Sequence, residues 1–112
     1  RWRAMTDAIL VWGTAPDEET AARICRTLVE EHLAACGSVV PGLRSLYRWD
    51  GAVQDEREVG MLLKTRAALF EPLRARLVAL HPYQVPEVLR LDVADGHAPY
   101  LAWLTGSVRG AP

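Results

Sequence analysis

Lysine is nearly absent from this 112-residue chain: of 13 basic residues, Lys64 alone is not an arginine. A lone compact ammonium among planar guanidinium groups either marks a position where the fork geometry of arginine fits less well or is there by chance. Cysteine is scarce too. Cys25 and Cys36 form no CxxC pair, so they read as reduced thiols rather than a disulfide scaffold. There is no excess of either charge, since 14 acidic residues leave a net charge of −1. That balance excludes the basic footprint of a nucleic-acid binder. Apolar runs such as that from Ala8 to Trp12 are far too short to cross a bilayer, so no membrane partner is expected. The opening "RWRA" is too short and too polar for a signal peptide, and a cytoplasmic location is expected. No glycine-rich phosphate loop, no nucleophile beside a base and no metal-hydrolase spacing occurs, so no enzymatic activity is expected.

What is present is half hydrophobic and about a quarter charged, as befits one globular domain over residues 1–112. Residues 1–6 and 105–112 are expected to be poorly ordered. "AILVWG" (8–13) reads as a strand buried on both faces. Asp17 can cap a helix over 17–33, with Glu18 and Glu19 at the positive end of its dipole. Cys25 lies on its apolar stripe, and His32 reads as turned the same way. "AACGSVVPG" (34–42) is a second strand ending at Pro41-Gly42. Asp50-Gly51 is a two-residue hairpin signal between strand-forming Tyr47, Trp49 and Val53. The far half of that hairpin is too polar to cover a core and should project.

A second helix starts near Ala68 with Pro72 in its first turn and stops at His81-Pro82. Residues 87–93 alternate as a strand with Leu89, Leu91 and Val93 on its buried face, and "PYLAWL" is a short helix. The order predicts an α+β ferredoxin-like βαββαβ sandwich with a projecting β-hairpin and a short C-terminal helix. Two helices cover one sheet face. The other needs covering by further chains, which predicts association.

The blocks "TAPDEETA", "LVEEHLAAC", "SLYRWDG", "EVGMLLKT", "HPYQVPEV" and "YLAWL" stand in register from Ala8 to Leu104. In that order the chain resembles the CutA divalent-cation tolerance family. The resemblance implies a ferredoxin-like homotrimer packed around a threefold axis, its hairpin reaching a neighbouring subunit. It also implies a role in tolerance of divalent cations, copper among them. In the copper-binding branch a cysteine precedes "TAP" and a second histidine precedes "HPY"; this chain has Gly13 and Leu80 there. Copper or another divalent cation would therefore be weakly bound, and none is required.

His81 is the one histidine within a motif, and imidazole is a common transition-metal ligand. It could equally bond a carbonyl at a helix end. Cys36 matches the cysteine of the family's "AAC" block; it offers a soft thiolate or simply packs. Tyr47, Trp49, Glu58, Lys64, Tyr83 and Glu87 are expected at an intersubunit cleft. They either line a pocket or cement subunits, with Glu58 and Lys64 ion-paired. "HPYQVPEV" itself reads first as a connector stiffened by two prolines. Non-catalytic signalling or scaffolding through the hairpin, as in PII-type trimers, is the alternative function. The sequence points to no particular protein partner.

Overall fold

A computed structural model describes residues 6–110. Strand β1 (Ala8–Ala15) lies antiparallel to β3 (Ala52–Arg66) along its whole length, from Ala8 opposite Arg66 to Ala15 opposite Val59. Residues 9–12 pair on the other side with β4 (Leu89–Asp92), and β2 (Cys36–Trp49) pairs with β3. The sheet order is therefore β2-β3-β1-β4, the ferredoxin-like arrangement. Helices α1 (Glu18–Glu30) and α2 (Phe70–Leu80) supply Ile24, Leu28, Leu73 and Leu77 to a core shared with Ile9, Val11, Met61 and Leu63. Asp17 caps α1 as expected, its carboxylate accepting the Thr20 N–H at 2.7 Å. That bond holds the Asp17 carboxyl below its ordinary range. A 3-10 turn at Ala67–Leu69 leads into α2, which keeps Pro72 in the first turn.

β2 does not end at Pro41-Gly42. It continues to Trp49, with Val40 opposite Gly60 and Leu43 opposite Glu58, so Pro41 and Gly42 together face Val59. Such a bulge tolerates a proline, which has no N–H for the ladder. Gly42 takes a φ of 83° there, which a side chain would oppose. The extra residue reverses the alternation. Directly opposed residues share a face, so Cys36, Ser38 and Val40 lie with Gly60, Leu62 and Lys64, away from the buried Met61 and Leu63. Beyond the bulge that same face is carried by Leu43, Ser45, Tyr47 and Trp49. The hairpin closes as read from the sequence: Asp50 and Gly51 both have positive φ (53° and 77°), the type I′ geometry.

Four expectations need correction. His32 is exposed rather than facing the core; at φ 59° it is the left-handed residue past α1, and Leu33 and Ala34 fold back to bond the Leu28 carbonyl. Residues 105–110 pack: α3 (Ala98–Gly106) runs through Thr105, and Val108 is buried. Arg109 donates to the carbonyls of His32 and Glu31. At the other end Thr6 accepts the Ala8 N–H, while residues 1–5 and 111–112, expected to be disordered, lie outside the described residues. The last long strand is four residues, and its Leu89 and Leu91 are 54% and 50% exposed, not buried. They point to the sheet face that α1 and α2 do not cover. Leu10 and Trp12 on β1, expected to be covered on both sides, are only half-buried for the same reason.

Candidate functional site

The polar residues gather where the projecting hairpin leaves the sheet body. The register set by the turn places Tyr47 opposite Gln54 and Ser45 opposite Glu56, so Tyr47 and Glu56 are diagonal neighbours on one face. The Tyr47 hydroxyl donates to Glu56 Oε1. One step down the same face, Glu58 accepts the Tyr83 hydroxyl at 3.2 Å. Two phenols and two carboxylates thus form a short row. The bond to Glu56 pushes the Tyr47 phenol up to about 12. Partial burial, then the Glu58 charge, does the same for Tyr83, also to about 12. Both phenols stay protonated over the ordinary range and both carboxylates act as acceptors.

A raised phenol value means the folded state holds its proton more tightly than the unfolded chain. The contribution is complete below about pH 10 and is lost as pH rises through about 12. In an ultraviolet titration, Tyr47 and Tyr83 are expected to ionise near pH 12. Tyr47→Phe should remove one of these late steps and leave the other. Ionisation of both phenols near 10 would contradict the row of bonds.

His81 is held in place by bonds at both ring nitrogens. Only 7% exposed, it directs Nε2 at the Thr14 carbonyl at 2.7 Å and accepts the Tyr83 N–H on Nδ1 at 3.1 Å. The carbonyl can only accept, so Nε2 carries the hydrogen and Nδ1 gives its lone pair to the backbone. No lone pair remains for a metal. The ring also packs on Tyr83, centroids 4.7 Å apart. His81 thus ties the end of β1 to the connector and sets where Tyr83 meets Glu58.

Cys36 is not beside it. Cys36 lies opposite Lys64, whereas Thr14 lies opposite Gly60, four residues away along β3. Half-buried on the uncovered face, Cys36 is not a core residue, while Cys25 is, and burial pushes the Cys25 thiol up to about 11. Among the described residues no three His, Cys, Asp or Glu side chains converge on one point. The residues expected to hold a metal do not fit one in a single chain.

Nor does Lys64 join Glu58. Six residues along one strand separate them by roughly 20 Å. Lys64 instead bonds the Tyr100 hydroxyl at 3.1 Å, with its ammonium 5.3 Å from that ring's centroid. Its pKa is raised, chiefly by that bond. Trp49 is 54% exposed beside the turn, its carbonyl accepting from the Gln54 amide. The Glu87 side chain is exposed, and it is its backbone that matters locally. Two partners went unread in the sequence. Glu56 could have been found by counting back from the Asp50-Gly51 turn; the Tyr100 contact spans 36 residues and has no local signal.

Gly13, at the place where the copper-binding branch carries cysteine, is occupied from outside. A Cβ there would stand 2.6 Å from the Glu87 carbonyl oxygen, so the connector closes directly onto the glycine. Gly13→Cys is expected to destabilise the fold by about 1–3 kcal/mol, as overpacking does. It should not create tight copper binding. Denaturant unfolding and copper calorimetry check both halves; nanomolar copper affinity would contradict the occupied glycine.

The profile of the CutA1 divalent ion tolerance protein family matches residues 9–107. The chain is 48% identical to the divalent-cation tolerance protein CutA of Thermus thermophilus, over 89% of this chain and 95% of that one. It is 42% identical to the chloroplastic protein CutA of Arabidopsis thaliana, over 91% of this chain and 56% of that longer one. Among solved structures, CutA from Xylella fastidiosa superposes with a TM-score of 0.90 at 40% identity, covering 92% of this chain and 99% of that one. CutA1 from Oryza sativa gives 0.91 at 39% identity, covering 94% and 96%.

Proposed function

Because the chain belongs to the CutA1 divalent ion tolerance family, we propose that it serves divalent-cation tolerance, copper included, as a homotrimer that binds metal weakly and catalyses no reaction. The observation that carries this reading is the sheet face left bare by α1 and α2. Leu89 and Leu91 are half-exposed on it, and Leu10, Trp12 and Leu62 are only partly covered. An apolar face of this kind calls for a partner, and three copies around an axis give each face a neighbour. α3 covers only the end near Lys64, where Tyr100 sits. No helix among the described residues is long and apolar enough to cross a membrane.

Weak binding follows from the donors. With both His81 nitrogens engaged, cation contacts fall to exposed carboxylates taken one or two at a time. Dissociation constants in the micromolar range or weaker are expected, about −8 kcal/mol or less favourable. A second reading, signalling or scaffolding through the hairpin without any cation, is favoured by the exposure of Leu46, Trp49 and Val53 on that ribbon. Native mass spectrometry with and without copper(II) separates the two. A trimer that takes up copper only at micromolar concentration supports the first reading; a trimer indifferent to copper supports the second. A monomer would overturn both.

A further inference from the structure

Past the bulge, Arg44, Leu46 and Arg48 stand opposite Arg57, Asp55 and Val53, on the same side of the sheet as Met61 and Leu63. Like charges directly opposite each other destabilise a ladder, and Arg44 and Arg57 are so placed. The one carboxylate of this face, Asp55, is taken by Arg44 through two bonds at 2.9 and 2.8 Å. Arg48 and Arg57 have no ion pair among the described residues. Leu46 and Val53 beside them are both 63% exposed. Towards the body of the domain the same side opens into a groove of about 320 Å³ between α1 and β2. Ala22, Cys25, Val29 and Val39 line it, with the exposed Arg26 and Glu30 at its rim.

We infer that this strip of ribbon and groove seats an extended, acidic segment of another protein, its carboxylates on Arg48 and Arg57 and an apolar end in the groove. The inference rests on the reading of the hairpin as a scaffolding surface and names the chemistry of the partner. It uses the side of the sheet opposite to Trp12, Leu89 and Leu91, so it asks nothing of the face that the trimer reading covers. Val39 and Arg48 lie roughly 30 Å apart along β2, the reach of an extended peptide of about ten residues. Alternate side chains of such a peptide point one way, so a run of every second residue acidic meets the arginines together. An extended chain can follow both ribbon and groove; a flat anionic membrane reaches the ribbon alone.

Fluorescence anisotropy with a rhodamine-labelled peptide of about twelve residues tests it, two leucines followed by alternating glutamate and threonine. Wild type should bind it in the micromolar range at about 50 mM salt, and more weakly as salt screens the charges. Arg48→Glu/Arg57→Glu should bind about tenfold more weakly. The same variant should bind a peptide with lysine in place of glutamate better than wild type does, a gain that a misfolded chain would not show. Wild type that sediments with phosphatidylserine vesicles and ignores the peptide overturns the inference in favour of a lipid surface. Peptide binding that survives the arginine reversal but is lost in Leu46→Ser/Val53→Ser overturns the charge pairing and leaves the scaffolding reading standing. Binding that no hairpin substitution alters overturns both.

Discussion

For the homotrimer proposed above, Leu91→Asp is expected to reduce the assembly to a folded monomer of 12.4 kDa. Leu91 stands opposite Leu10, and Leu89 opposite Trp12, so the two leucines extend one apolar stripe across β1 and β4. Within a single chain Leu91 is 50% exposed, and an aspartate there costs the isolated fold little. Inside a subunit junction the same carboxylate loses its water without gaining a partner. Effective penalties for such ions are several kcal/mol each, and a closed ring repeats the loss at every junction. Light scattering at micromolar concentration, beside circular dichroism, reads mass and fold together. A variant that keeps the triple mass would place Leu91 on free surface and move the assembly contact elsewhere.

His81→Ala is expected to lower unfolding stability by about 2–4 kcal/mol while leaving any copper response unchanged. Two backbone groups lose their partner at once, the Thr14 carbonyl and the Tyr83 N–H. A buried polar group left unpaired costs roughly 1–3 kcal/mol. The ring's packing against Tyr83 goes as well. Denaturant melts should show the loss, and the Tyr83 phenol should ionise earlier once its bond to Glu58 slackens. Copper calorimetry on the same protein gives the contrary outcome: a stable variant that has lost copper uptake would restore His81 as a ligand.

The sequence carried those parts of the fold that depend on neighbours along the chain. The Asp17 cap, the Asp50-Gly51 turn and Pro72 in the first turn of α2 each act through a few bonds of backbone geometry, and each is seen. Pro41-Gly42 was harder, because the same pair suits a strand end and a bulge; only the ladder on β3 distinguishes them. At the site, Tyr47 and Glu58 were legible from alternation. Lys64 misled because alternation tells which face a side chain shares and nothing of distance along it. His81 was ambiguous for a chemical reason, since an imidazole that could ligate can also bond two backbone groups, and the sequence does not contain Thr14 and Tyr83 as neighbours of one ring. The leucines of β4 look buried in the sequence because apolar alternation does not say whose surface does the burying.

The bulge at Pro41-Gly42 also decides which losses of length this segment can absorb. Two residues there face the single Val59, so removing one would leave one residue opposite one and make the ladder regular. Tyr47 and Trp49 would stay on the face of Glu56 and Glu58, because the turn and the unbulged β3 fix their pairing. Removing both would leave nothing opposite Val59 and force the hairpin or the start of β2 to slip in register. Loss of one residue between Val40 and Leu43 should therefore be tolerated far better than loss of two.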